Sequence, residues 1–298
     1  MFALEVSIMN QFYQEKAERP WLVSDVSVLA PFRAYSRLIG VVLWVLSCYG
    51  AVRLATVALS FYRPLRRRVC RKISRLWLRG MPRLLGLRIR IHGPRPQSPF
   101  FLVVNHITWL DFIVMNLLCD GRCVAMAEMQ QTPILGPLVK AMEAIFVYRM
   151  REDVPRVRNL ILDSIRQHRN ILLAPEGVIS PGRTVRRFRA SLLEPAVSSR
   201  KAVHYASITY RTPDGWPRPS DVVLYGPDPH FRPDDDEVNN LELWGPQRSF
   251  LSHFLRLVSL PYYEAHVRFG DEPMVGEDRI ALANGLHRAV NRIFSPLE

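Results

Sequence analysis

The sequence predicts an α/β fold, a mostly parallel covered sheet with flanking helices, preceded by an N-terminal membrane-embedded helical segment. Three observations carry this expectation. From about residue 87 onward, short apolar runs of strand length alternate with amphipathic helical periods, the pattern of strands buried on both faces. Apolar residues make up 48% of the 298 residues, enough for a full hydrophobic core. Ahead of the alternating region, residues 38–62 form an apolar run whose one charge is Arg53, and eleven cations then follow with no acid between them.

Taken in order, residues 1–36 mix charges, aromatics and two prolines, Pro20 and Pro31. They lack a basic stretch leading into an apolar one, so they do not read as a secretory signal. They read as a tail or a short surface element. The 25 residues of the run 38–62 suffice to cross a bilayer with tilt. Arg53 lies in its second half, where a long side chain can snorkel to the interface. A buried core helix or one lying in the interface would fit the same run. Residues 63–90 interleave Arg63, Arg66, Arg67, Arg68, Arg71, Lys72, Arg75, Arg79, Arg83, Arg88 and Arg90 with Leu65, Val69, Ile73, Trp77 and Leu84. Such a segment beside an apolar run suits an anionic lipid surface, and the positive-inside rule places it on the cytoplasmic face of the inner membrane. The chain thus divides into a tail (1–36), a membrane-embedded and basic interfacial helical segment (37–90) and an α/β domain (91–298).

Within that domain, strands are expected at residues 100–105, 122–126, 144–149, 171–174, 203–210, 222–225 and 265–269. Helices are expected at 109–118, 132–143, 153–169, 250–258 and 279–293. Residues 212–249, rich in Pro and Asp, read as a surface excursion.

Charge and cysteine content limit the function classes. Lys plus Arg number 40 and Asp plus Glu 27, a net charge of +13 that predicts an anionic partner. Nucleic acid would leave the apolar run unexplained, so membrane lipid is the expected surface. Four cysteines exclude a disulfide-dense scaffold. Cys119 and Cys123 are spaced C-x₃-C with no second Cys/His pair, and no metal is expected.

Three groups of residues fall at strand ends, where open α/β sheets bind ligands. Asn105-His106-Ile107-Thr108-Trp109-Leu110-Asp111 spans the first strand-to-helix turn. Histidine is the side chain suited to act as a base at neutral pH, and Asp111 could hold the tautomer of His106. On one helix the two would diverge by about 140°, so they meet only if His106 sits in the turn before the helix and folds back over it. Thr108 and Asp111 also match a capping box, in which they would serve only helix-end donors. Ala174-Pro175-Glu176-Gly177 is a tight turn followed by Arg183, Arg186, Arg187 and Arg189, suited to a phosphate or polyol, or simply to solvent. Phe146-Val147-Tyr148-Arg149 is a strand ending in a cation that could meet phosphate or form an ion pair.

In order and spacing these blocks resemble the glycerolipid acyltransferases, of the 1-acyl-sn-glycerol-3-phosphate and lyso-ornithine-lipid type. Asn105, His106 and Asp111 match the first block, with Thr108 in place of the usual Ser. Ile145, Phe146, Val147 and Arg149 match the second. Pro175, Glu176 and Gly177 match the third, and residues 203–210 resemble the fourth. The resemblance spans about residues 77–290. It implies that His106 is a general base assisted by Asp111, which deprotonates the free hydroxyl of a lysophospholipid for attack on an acyl thioester. Arg149, Glu176 and Gly177 are implied at the acceptor's polar head. The donor is implied to be acyl-CoA or acyl carrier protein, as co-substrate, with no cofactor. Family positions usually held by other residues carry Ile179 (for Arg), Met126 (for Lys), Glu143 (for Gly) and Tyr205 (for Pro), which bears on the acceptor more than on the reaction. The expected acceptor is 1-acyl-sn-glycerol-3-phosphate. A lyso-ornithine lipid or another lyso-lipid is the alternative, and a catalytically silent lipid-binding relative the rival.

Overall fold

The computed structural model describes residues 29–148, 150–225 and 250–297. Two long helices come first. α1 (Leu29–Ala58) buries Ala34, Val41, Cys48, Val52 and Ala55, a stripe at helical spacing, and turns back into α2 (Arg63–Leu85). Residues 29–36, expected in a tail, are instead the first turns of α1. Small residues let the two helices approach: Gly80 lies against the Trp44 indole, and Trp44 Nε1 donates to the Trp77 carbonyl at 3.0 Å. Pro64 in the first turn opens α2, and Gly86 closes it in the left-handed region at φ +72°.

Seven strands follow: β1 (Leu87–His92), β2 (Phe101–Val104), β3 (Arg122–Met126), β4 (Ile145–Val147), β5 (Ile171–Leu173), β6 (Val203–Arg211) and β7 (Tyr263–Phe269). They form one sheet in the order β1-β7-β6-β2-β5-β3-β4, parallel throughout save for the antiparallel pair β6/β7. β1 carries Arg88 and Arg90, the last two cations of the basic run, which the sequence reads with the interfacial segment. It is an edge strand whose buried Leu87 faces the core while both arginines stay in solvent.

Helices cover both faces. α2, α3 (Leu110–Cys119) and α9 (Phe250–Ser259) lie on one; α6 (Val154–Arg166), α7 (Glu194–Ser198) and α10 (Arg279–Ile293) lie on the other. The alternation of strand side chains divides the core accordingly. Phe101 and Val103 of β2 face Ile161 and Leu286, whereas Leu102 and Val104 join Trp77, Leu110 and Leu257 on the opposite side. α10 starts where the Asp278 carboxylate accepts the Ile280 and Ala281 N–H groups at 2.9 and 2.7 Å.

Two expected elements differ. The helix expected over 132–143 is two pieces, α4 (Ala127–Gln131) and α5 (Leu135–Ala141). Thr132 precedes Pro133 and is held extended at φ −62°, ψ 128°, which no continuous helix accommodates. The strand expected over 222–225 is instead the end of a short helix, α8 (Pro219–Val222), and an ordinary turn. Both edges of β6 are already taken by β2 and β7, so this apolar stretch is buried against helices instead. Most of the excursion expected over 212–249 lies outside the described residues.

α1 is tied down at its start. The Arg37 guanidinium donates to the carbonyls of Val258, Leu260 and Pro261 at 3.0, 2.6 and 2.8 Å, and Arg33 donates to that of Ser259 at 3.0 Å. Desolvation pushes the Arg37 pKa down, yet the guanidinium spends its donors on carbonyls of the α9–β7 corner. The opposite face of α1 exposes Phe32, Ile39, Leu43, Leu46, Leu54 and Val57.

Candidate active site

β2 is the central strand, and the chain leaves its carboxyl end at Asn105. The Asn105 side chain continues the ladder by itself. Its Nδ2 donates to the Ile208 carbonyl at 2.9 Å and its Oδ1 accepts the Ile208 N–H at 2.7 Å. This pairing fixes the start of the turn to β6. Thr108 Oγ1 donates to the Val223 carbonyl, and Trp109 Nε1 donates to His253 Nε2 at 3.1 Å while its ring stacks on Phe254. The turn is therefore held by β6, by the stretch after α8 and by α9.

His106 lies in this turn and folds back over the first turn of α3. Its Nδ1 is 2.8 Å from Asp111 Oδ2. The same Oδ2 accepts the Ile107 and Thr108 N–H groups at 2.6 and 2.9 Å. Asp111 Oδ1 accepts the Tyr210 hydroxyl at 2.6 Å. Asp111 thus serves helix-end N–H groups and holds the imidazole at once, so the two sequence readings describe one carboxylate. Thr108 does not complete the capping box, because its hydroxyl is spent on Val223. A carboxylate with two backbone donors on Oδ2 is an acceptor there, which assigns the imidazole proton to Nδ1 and leaves the Nε2 lone pair free. The Asp111 side chain is 4% exposed and that of His106 27% exposed, so the imidazole reaches solvent while its partner does not.

The turn after β5 braces the first one. Glu176 is buried; its Oε1 accepts the His106 N–H at 2.7 Å and its Oε2 accepts the Arg186 N–H at 3.1 Å. Burial pushes the Glu176 carboxyl up to about 8, against the pull of these two N–H groups. The Ser180 N–H donates to the His106 carbonyl at 2.8 Å. Both backbone groups of His106 are thereby fixed by residues 176–180. Gly177 adopts φ +74°, a conformation that calls for glycine.

The structure brings His106, Asp111, Glu176 and Gly177 to one end of the sheet. The head-group role expected for Glu176 does not fit its surroundings: its oxygens face backbone donors in the interior, making it a support for the His106 turn. Arg149 lies outside the described residues. Arg183, Arg187 and Arg189 of the loop after Gly177 are exposed, and Arg186 is buried beside Glu176. Tyr210 is a site residue that the sequence does not single out, because a Tyr closing an apolar strand reads as core. The sequence signal available was its place at the carboxyl end of a strand next to β2.

Cys119 and Cys123 are buried, and burial pushes both thiols up to about 12, which keeps them protonated at neutral pH. Among the described residues there is no group of three or more side chains able to hold a metal ion.

Residues 88–211 match the family model described as Acyltransferase. That stretch runs from β1 to the end of β6 and contains all four residues just described. The lyso-ornithine lipid O-acyltransferase of Pseudomonas aeruginosa is 28% identical over 228 residues, 76% of this chain and 78% of that protein. The 1-acyl-sn-glycerol-3-phosphate acyltransferase of Neisseria meningitidis is 24% identical over 135 residues, 44% of this chain and 53% of that protein. The family model, over residues 88–211, and both relatives mark this chain as similar to acyltransferases of the glycerolipid type. This acyltransferase also shares its fold with the crystal structure of the 1-acyl-sn-glycerophosphate (LPA) acyltransferase PlsC from Thermotoga maritima. The TM-score is 0.50 over 86% of this chain and 97% of that one, at 16% identity. Its α1 is long and apolar enough to cross a membrane, and the open apolar face of that helix makes the acyltransferase a membrane-associated one.

Proposed function

We propose that this acyltransferase moves a fatty acyl group from a thioester, acyl-CoA or acyl carrier protein, to the free hydroxyl of a lyso-lipid. The observation that carries the reading is the 2.8 Å contact of His106 Nδ1 with the buried Asp111 carboxylate, on an imidazole that is 27% exposed. His106 Nε2 takes the proton of the acceptor hydroxyl as its oxygen attacks the thioester carbonyl. The C–S bond breaks as the tetrahedral intermediate collapses, and the thiolate leaves with the proton that His106 carries. Asp111 stabilises the transient imidazolium, and Tyr210 and the backbone N–H groups hold Asp111 in place. Glu176 and Ser180 hold the His106 backbone.

The acceptor favoured is a lyso-lipid without a phosphomonoester, of the lyso-ornithine-lipid kind. Ile179 and Met126 stand where the resemblance places cations, and the relative matched over 76% of the chain bears that name. A second reading, 1-acyl-sn-glycerol-3-phosphate, is favoured by the exposed Arg183, Arg187 and Arg189 on the loop beside the site. The purified chain is given oleoyl-CoA or oleoyl-acyl carrier protein with each acceptor separately, and products are read by mass spectrometry. Acylated lyso-ornithine lipid with little phosphatidic acid supports the first reading, and the reverse the second. No transfer to either acceptor from either thioester would sink both.

The site is proposed to act at the cytoplasmic surface of the inner membrane, against its anionic lipids. α1 is fastened along one flank to α2, α5 and α9, so the geometry favours a helix lying in the interface with its open face in the acyl region and the cations of α2 toward head groups.

A further inference from the structure

A cleft of about 200 Å³ lies at the other end of the sheet, where the strands begin. Arg122 opens β3, Asn170 precedes β5 and Ser98 precedes β2; Arg71 and Arg75 reach in from successive turns of α2, and Arg169 from the loop after α6. The framework is firmly built. Ser98 Oγ donates to Asn170 Oδ1 at 2.8 Å, Asn170 Nδ2 donates to the Asp120 carbonyl at 3.2 Å, and Arg122 donates to the Glu143 carbonyl and Ser164 Oγ at 2.8 and 2.7 Å.

Positive charge is in surplus there. Arg71 and Arg169 share the one Glu143 carboxylate, and Arg75 pairs with Asp120. Four guanidinium groups against two carboxylates leave 4 − 2 = +2. Asp163 faces Arg122 from α6 but is paired with Arg166 at 3.1 Å. Desolvation and neighbouring guanidinium groups push the Arg71 and Arg122 pKa values down, the mark of cations held close together. Arg75 Nε is a buried donor without a hydrogen-bond partner.

The backbone around the cleft is also strained. Among the described residues, four that are not glycine have φ in the left-handed region; Asp120 (+36°) and His168 (+51°) line the cleft, and Glu143 (+59°) pairs with two of its arginines. Such strain persists where the surroundings enforce it, and it clusters at sites of function. Here it places the two carboxylates that space the arginines.

We infer that this cleft binds a phosphate group, independently of the acyl-transfer site. Guanidinium forks match phosphate oxygens two at a time, and the surplus of two positive charges matches a phosphate dianion. The volume exceeds the roughly 30 Å³ share of one water several times over, which leaves room for the phosphate and its ester carbon. The group comes either from the head of an anionic lipid, since Arg71 and Arg75 sit on the helix beside α1, or from a soluble phosphate. In either case it would fasten α2 to the sheet.

The test is calorimetry of the full chain in detergent with inorganic phosphate, followed by flotation on phosphatidylcholine vesicles carrying either phosphatidic acid or phosphatidylglycerol. Saturable phosphate binding is expected, weakened at least roughly tenfold in Arg71→Gln/Arg75→Gln and unchanged in Arg183→Gln/Arg187→Gln at the opposite end. Asp120→Asn should bind phosphate more tightly, a gain that unfolding cannot produce. A preference for phosphatidic acid vesicles that the Arg71→Gln/Arg75→Gln protein loses identifies the lipid source; phosphate binding without that preference identifies the soluble one. Equal phosphate affinity in wild type and Arg71→Gln/Arg75→Gln, absence of saturable binding, or loss of binding only in the loop variant overturns the inference.

Discussion

Substituting Asp111 by Asn separates its two duties, because the structure dictates how the amide must sit. Asp111 Oδ2 accepts three donors, the N–H groups of Ile107 and Thr108 and His106 Nδ1, and Oδ1 accepts the Tyr210 hydroxyl. An Asn with its NH₂ toward Ile107 and Thr108 would set donor against donor, so its carbonyl oxygen takes the Oδ2 position. The Tyr210 hydroxyl rotates to accept from the NH₂. All four contacts survive and the Nδ1–H tautomer is kept, and only the negative charge is lost. Replacing a charge-assisted bond by a neutral one costs about 1 kcal/mol of stability. The transient imidazolium loses an attraction of about 4 kcal/mol, taking unit charges 4 Å apart at an effective dielectric constant of 20. At 1.36 kcal/mol per tenfold, kcat should fall about a thousandfold. Asp111→Ala, by contrast, orphans buried donors at about 1–3 kcal/mol each and should melt several degrees lower. The assay is single-turnover transfer from labelled oleoyl-CoA beside thermal melts of both variants, with His106→Ala as the reference for a lost base, expected to fall by about 10²–10⁴-fold. Asp111→Asn with half the wild-type rate would show that the carboxylate only caps α3. Asp111→Asn melting as low as Asp111→Ala would refute the placement of the amide.

Tyr210→Phe keeps the ring and removes the hydroxyl from Asp111 Oδ1, so kcat should fall about tenfold with KM for both substrates nearly unchanged, consistent with a net bond to a charged group of about 1.5–3 kcal/mol; a change confined to KM would assign Tyr210 to substrate binding. Glu176 is raised to about 8 from an ordinary 4.5, so its contribution is complete below the unfolded value and is lost as pH climbs to the folded one. Glu176→Gln does not titrate, so the melting temperature of wild type minus that of Glu176→Gln should decrease between pH 5 and about 8 and then level off; a difference that grows with pH would contradict the burial argument. Ile39→Lys/Leu43→Lys on the open face of α1 should weaken vesicle binding in high salt more than a hundredfold, from about 1.5–3 kcal/mol per buried aliphatic side chain, with the melting temperature unmoved; pelleting equal to wild type would remove α1 from the bilayer.

The covered, mostly parallel sheet was legible because strands buried on both faces must be apolar throughout, as Phe101–Val104 and Ile171–Leu173 are, while their helices keep one wet face. His106, Asp111, Glu176 and Gly177 were legible as a group because strand ends and tight turns are local features of the chain. Their division of labour was not. Whether Asp111 caps or orients depends on where the turn directs four donors, and Tyr210 is 99 residues away in the chain. Glu176 has the composition of a polar head-group ligand, and only the fold turns it inward onto the His106 N–H. Residues 222–225 have strand character, but both edges of β6 are taken by the time the sheet closes. Glu143, expected at the end of a helix, and Asp120, between two expected elements, gain their partners only when α2 carries Arg71 and Arg75 to them. Periodicity reports which face of an element is apolar and a motif reports which side chains stand together along the chain. The direction of a hydrogen bond and the sharing of a charge between distant segments exist only once the segments have met.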